Sequence, residues 1–329
     1  MAGLCGLLAL IVLLAYVLAG AVDGQPIMPL DDAYIHFQYA KSIATLDPYQ
    51  YNPGLPPTSG ATSFLYPYLL AVGYVLGLQG LNLGYWAMLL GASALAASGW
   101  LIYRLTRTLA SEFVAVILAC VFILSGEFAW HAMSGMETSI AVMLTLLTLY
   151  AVTRRDVRLT GIAGALLALI RPEGGALALI AAAVALYLAF ETIPVRNRMR
   201  IPHLWLWRRE WLILLLPVLA LGVQPLVNLA LTGSAVASGN AAKSLFGMIP
   251  FDIGVIVGRI WDNFTRTFLE LTGLRAAREP GYYAPILFLP AVVGLWAIFR
   301  QRRAVAILLA LWLIVGFGAI ATLDTAFWH

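Results

Sequence analysis

The chain is an all-α polytopic membrane protein by its sequence, and three observations predict this. Hydrophobic residues make up 62% of it and charged residues only 11%, a balance that excludes a soluble globular domain. Apolar runs of spanning or near-spanning length recur from one end to the other. Arginines gather in alternate loops, as the positive-inside rule demands of cytoplasmic segments. The net charge of +4 is therefore a topogenic signal and no footprint of nucleic acid. Cys5 and Cys120 both lie inside apolar runs and suggest neither a disulfide framework nor a metal site.

Nine runs read as spans: Leu4–Val22, Leu83–Tyr103, Phe113–Ser125, Ser139–Val152, Leu159–Ile170, Ala176–Phe190, Leu212–Leu231, Ala284–Phe299 and Ala304–Thr322. Several fall below the usual ~20 residues and are expected to tilt or extend into their flanks. The first is expected to be retained, because no Lys or Arg precedes it as in a cleaved signal peptide. Placing Arg104 and Arg107, then Arg154, Arg155 and Arg158, then Arg196–Arg209, then Arg300, Arg302 and Arg303 inside satisfies the charge rule at every turn. The stretch RNRMRIPHLWLWRRE reads as an interfacial anchor on the inner leaflet. The opposite loops then hold most acids, including Asp31, Asp32, Asp47, Glu127, Glu137 and Asp324. Ser63–Leu78 is apolar enough to span, which would move Arg104 and Arg107 to the acidic side; it reads instead as a helix lying at, or dipping into, the outer surface. The expected organisation is one module over residues 1–329, with exterior loops at 23–82 and 232–283.

Everything chemically unusual falls in those exterior loops. Asp31 and Asp32 open a polar insert directly after the first span, and adjacent carboxylates beside a bilayer cost free energy unless something uses them. A helix capped by Asp31 would set Asp32, His36 and Tyr39 on one face, and Asp31, Tyr34, Gln38 and Lys41 on the next. The second exterior turn gathers Glu127, His131, Ser134 and Glu137, with Ser134-x-x-Glu137 spaced as a capping box. RPEGG at 171–175 breaks a long apolar stretch and leaves Arg171 and Glu173 at the interface. Arg171 suits a phosphate, because a guanidinium donates two parallel hydrogen bonds. The blander alternative is an Arg171–Glu173 pair or a headgroup contact. In the late loop, SGNAAKS places Ser238 near Lys243, one of only two lysines; the pattern is no Walker loop. Arg259, Arg266, Arg275 and Arg278 lie on amphipathic stretches that read as a headgroup-facing surface.

Taken in order, DDAYIHFQYAKSIA, YNPG, TSGATS, MSGMET, RPEGG and SGNAAKS resemble the GT-C superfamily of membrane glycosyltransferases. The likeness runs from about Asp31 to Lys243 and is nearest to bacterial members opening with Asp-Asp-Ala-Tyr-Ile, related to mycobacterial arabinofuranosyltransferases. It implies a GT-C-like transmembrane bundle with exterior juxtamembrane helices, Ser63–Leu78 among them. It further implies transfer of a sugar from a polyprenyl-phosphate donor to a glycan, lipid or protein hydroxyl, outside the bacterial inner membrane. Asp31 would be the general base, with Asp32 and Glu137 positioning the acceptor or stabilising charge on the sugar ring. Arg171 and Lys243 would hold the departing phosphate. Tyr34, His36, Tyr39, His131, Glu173 and Ser238 would line the substrate. A magnesium or manganese ion on Asp31, Asp32 and Glu137 is an option the all-oxygen set allows, and not every member uses one. Two departures stand out: Gln38 replaces an Arg common in similar sequences, and the chain ends at Phe327-Trp328-His329 where those continue, as expected of a fragment or short variant.

Two other classes compete with the enzyme. A transporter or lipid flippase would use the exterior acids as a gate, and a scaffold would use the loops to bind a partner. The spans hold few ionisable residues, whereas transporters place polar groups near the midplane. Acids and phosphate-binding cations on one side favour the enzyme.

Overall fold

In the computed structural model, the residues described are 1–22, 24–52, 54–191, 209–237, 244–247, 251–271 and 288–323. They form thirteen α-helices and one two-residue hairpin ladder, Ala21–Val22 against Gln25–Pro26. The chain divides into two compact units, Met1–Ala237 and Ser238–His329.

The first unit carries α1 (Ala2–Gly20), α2 (Asp31–Ala44), α3 (Tyr66–Val75), α4 (Leu83–Thr106), α5 (Glu112–Leu124), α6 (Gly126–Met133), α7 (Thr138–Thr153), α8 (Val157–Ile170), α9 (Gly174–Glu191) and α10 (Leu216–Thr232). At its centre α4 packs against α1, α5 and α7, while α8 packs against α7, α9 and α10. Small residues permit this closeness: Ala87, Gly91, Ala94 and Ser98 are buried along α4. Without a hydrophobic drive between helices in lipid, close van der Waals approach is what holds them. At Gly91 it is extreme, since an added Cβ would lie 1.8 Å from the Ala132 carbonyl oxygen of α6. The outer side of α1 (Leu7, Leu10, Ile11, Leu14, Leu18) is exposed apolar surface, as a lipid-facing helix requires.

Each of the nine apolar runs is helical over most of its described length. Five helical stretches are long and apolar enough to cross a membrane: Ala2–Gly20, Gly80–Thr106, Gly174–Glu191, Glu210–Thr232 and Arg303–Ala321. This is a multi-pass membrane protein. A sixth span forms if α5 and α6, bent by 52° at their junction, are counted as one. Thr138–Thr153 and Val157–Ile170 are apolar but shorter, so the expectation of nine full spans exceeds what helix length alone supports. At ten residues, α3 extends about 15 Å, half of a bilayer core, in keeping with a helix that does not cross.

The two ends of the bundle differ in chemistry. At one, Arg104 Nη2 donates to the Tyr150 hydroxyl (2.9 Å) and its guanidinium stacks 5.2 Å from the Trp100 ring centre. Arg158 pairs with Glu210 at the surface (3.7 Å). Glu137 is at the other end of α7, about 20 Å from Tyr150 by helical rise. Arg104 and Arg158 thus lie at the end of the bundle opposite Glu137.

In the second unit α11 (Ile253–Leu271), α12 (Phe288–Gln301) and α13 (Arg303–Ala321) pack through α13. Asn263 Nδ2 donates to the carbonyls of Ala321 (3.1 Å) and Leu323 (2.9 Å), satisfying orphan acceptors at the end of α13.

A candidate active site at one end of the bundle

Three segments converge here. The first is α2, which begins at Asp31 with Leu30 as its N-cap, one residue before the cap expected from sequence. Asp31 is exposed and its Oδ1 accepts from the Asp32 amide (3.0 Å). The helical faces fall as predicted: His36 and Tyr39 are buried, Asp31 and Lys41 exposed. Asp32 sits one turn before His36 on the same face.

The second is the turn Ser134–Glu137. Gly135 reverses the chain at φ +79°, and a Cβ there would lie 2.6 Å from Met28 Sδ and 3.1 Å from Ala33 Cβ of α2. Glycine is thus required both for conformation and for room. The capping box does not form: Ser134 Oγ turns back to the His131 carbonyl (2.9 Å), and Glu137 itself is the N-cap of α7 without a side-chain cap. That frees its carboxylate to point into the protein.

The third is RPEGG. Arg171 is extended (φ −142°, ψ 119°), because a residue before proline is driven out of the helical region. This ends α8 and swings the side chain toward α7. Arg171 Nε donates to Glu137 Oε1 at 3.0 Å. The alternative pair, Arg171 with Glu173, gives way to a partner 34 positions earlier, although Glu173 adds its charge from the exposed side.

Glu137 is 1% exposed, and its other oxygen faces His36 Nε2 at 3.4 Å. That contact falls outside hydrogen-bond alignment, so the Arg171 bond is the firm one; His36 Nδ1 and Glu137 Oε2 have no hydrogen-bond partner among the described residues. Burial pushes the Glu137 carboxyl upward, but His36 and the Arg171 charge outweigh it and hold it at about 2. Tyr66 closes the floor: its hydroxyl donates to the Gly135 carbonyl (2.7 Å) and its ring meets His36 edge-on at 5.3 Å. Burial, with Glu137 adding its charge, pushes the Tyr66 phenol well above its ordinary value. The Arg171 side chain is 38% exposed, and its two terminal nitrogens have no partner among the described residues. A guanidinium anchored by Nε and open at its fork is a ready anion ligand.

The remaining expected residues divide. The Tyr34 hydroxyl accepts from the Met28 amide (2.9 Å). Tyr39 donates to the Thr58 carbonyl (2.9 Å) and accepts from the Gly60 amide (2.6 Å). Both tyrosine hydroxyls fasten loops, and His36 is buried at 2%. His131 is half-buried in α6 and feels the charges of Glu127 and Arg171. Ser238 and Lys243 lie outside the described residues, as do Asp324 and the Arg196–Arg200 basic run.

Sequence reasoning missed the loop that ends at α3. The Phe64 and Leu65 amides donate to the Leu169 carbonyl (3.1 and 3.0 Å), and Gln224, midway along α10, donates to the carbonyls of Ala61 and Thr62 (3.1 and 3.2 Å). TSGATS is thereby drawn into the bundle beside RPEGG. Non-helical backbone in a membrane protein survives only where protein satisfies it or where it lines a water-filled cavity, and the run of small residues, four of them hydroxyl-bearing, was the available signal.

The ligand set Asp31, Asp32 and Glu137 does not assemble: among the described residues no three His, Cys, Asp or Glu gather to hold a metal. Asp31 is exposed at the start of α2, whereas Glu137 is buried against Arg171. No protein-family model, curated protein or solved structure matches this chain.

Proposed function

We propose that the protein is a membrane glycosyltransferase that moves a sugar from a polyprenyl-phosphate donor to an acceptor hydroxyl on the exterior face of a bacterial inner membrane. The observation that carries the reading is the meeting of an acidic helix start with an anchored, open arginine. Asp32 stands one turn from His36, His36 touches Glu137, and Glu137 holds Arg171. Carboxylates able to take a proton and a cation able to take a phosphate therefore share one end of the bundle, opposite its arginine-rich end.

The acceptor oxygen attacks the anomeric carbon and its proton passes to the Asp31 carboxylate. The carbon–oxygen bond to phosphate breaks, and the electron pair leaves with the prenyl phosphate, whose charge the Arg171 fork offsets. Asp32 faces the interior side of α2 and orients the acceptor. Asp31→Asn tests the reading. General-base assistance is worth about 10²–10⁴-fold, so kcat with a prenyl-phosphate sugar should collapse while donor binding persists. Asp31 is not the cap of α2, so lost helix capping does not explain such a collapse. Full activity of the variant would remove Asp31 from the mechanism.

One observation favours transport as a second reading. Pro225 removes one backbone donor within α10 beside Gln224, which grips a non-helical loop, and transporters line their sites with irregular backbone of that kind. Movement of a prenyl-phosphate sugar across proteoliposomes without donor consumption would decide for it.

A further inference from the structure

We infer that Glu137 is a positioning residue that holds Arg171 as the anion-binding fork of this site and itself touches no substrate. The inference rests on reading the cleft as a phosphate site, and it reassigns the second acid from substrate to scaffold. Glu137 is 1% exposed, one oxygen taken by Arg171 Nε and the other facing His36. A carboxylate so enclosed has no open approach for a sugar. Arg171 is the converse, spending Nε on Glu137 and leaving both terminal nitrogens without a partner among the described residues, on a side chain 38% exposed. Of a guanidinium's five donors, the Nε bond uses one and fixes the plane of the rest. The two terminal nitrogens then present the parallel pair that matches two oxygens of a phosphate ester. The neighbours agree: Tyr66 pins the Gly135 carbonyl two residues before Glu137, and Arg171's extended backbone is set by Pro172.

The effect of Glu137 on ligand binding should therefore pass entirely through Arg171. A double-mutant cycle isolates this. The probe is geranyl phosphate, with geraniol as the uncharged control, titrated into purified full-length protein in micelles. Variants are Glu137→Gln, Arg171→Met and the double, whose paired neutral replacements leave no lone buried charge; thermal melts confirm that each folds. Arg171→Met should weaken geranyl phosphate at least tenfold and leave geraniol unchanged. Glu137→Gln should shift geranyl phosphate affinity threefold or more in the Arg171 background and not at all in the Met background. The sign of that shift does not enter, since removing a nearby negative charge and loosening the fork oppose each other. An equal Glu137→Gln shift in both backgrounds would mean that Glu137 meets the ligand itself, overturning the inference while leaving the phosphate site standing. No shift in either background would also overturn it. Unchanged affinity in Arg171→Met would remove both.

Discussion

Protonating Glu137 should cost the first unit a measurable share of its stability, over a pH range fixed by its surroundings. In the folded protein this carboxyl titrates at about 2 rather than 4.5. A depressed acid contributes stability that is fully present above its unfolded value, and that is lost as pH falls through the folded one. The contribution should thus be complete above about pH 4.5 and vanish toward about pH 2. Each unit of pKa is worth about 1.4 kcal/mol, which gives about 3 kcal/mol at neutral pH. Water over Arg171, 38% exposed, screens its side of the pair and brings this nearer about 2 kcal/mol. Breaking one side of a buried pair typically costs about 3–5 kcal/mol, the same order. The assay is unfolding in mixed micelles by SDS titration, wild type against Glu137→Gln, from pH 7 to pH 3. The wild type should lead by about 2–3 kcal/mol at pH 7, and by less than about half of that at pH 3, where the unfolded carboxyl is already protonated. A gap that is absent at pH 7, or that stays constant with pH, would refute the account of Glu137 as a buried anion stabilised by Arg171.

Other expectations follow from single contacts. Gly91→Ala drives a methyl into the Ala132 carbonyl at 1.8 Å, and should destabilise the protein by about 2–3 kcal/mol as α4 and α6 separate. Gly84→Ala meets mainly the flexible end of Met28 at 2.9 Å and the Pro26 ring, and should cost less; equal melting temperatures for the two variants would contradict this packing. Tyr66→Phe leaves the Gly135 carbonyl buried without its donor, a loss of about 1–2 kcal/mol, seen as a lower melting temperature and a weaker Arg171-dependent affinity for geranyl phosphate. Cysteines at Asp31 and Arg104, tested with an impermeant maleimide in intact cells, should label from opposite sides of the membrane. Labelling from one side would make Ser63–Leu78 a span.

What the sequence made legible was whatever depends on a residue's own neighbours along the chain. The apolar runs become helices at nearly the expected limits, and Pro172 ends α8 because its ring restricts Arg171 whatever surrounds it. The α2 faces come out right because a helix of known start fixes them. Arg104 reaches Tyr150 near one end of α7 and Glu137 stands at the other, in line with the loop charge pattern. Other features depend on which helices meet, and those failed. Ser134 and Glu137 have the spacing of a capping box, but Gly135 at φ +79° turns the chain between them and Ser134 bonds backward. Glu127–Met133 read as a turn, yet it folds as α6 because Gly91 opens a slot in α4 for it.

The pairing of Arg171 shows the same limit with a functional consequence. Two residues away lies Glu173, the local partner a reader of sequence chooses, and it stays in solvent. The partner that wins, Glu137, comes from another turn and is buried. Exposed ion pairs are worth about 0–1 kcal/mol, whereas a carboxylate already committed to the interior by its place at the start of α7 must find a cation or lose far more. Burial of Glu137 therefore selects Arg171, and Arg171 can answer because proline has already taken it out of the helix. The site is built from a local rule at residue 172 and a packing demand at residue 137, and only the first is visible in the sequence.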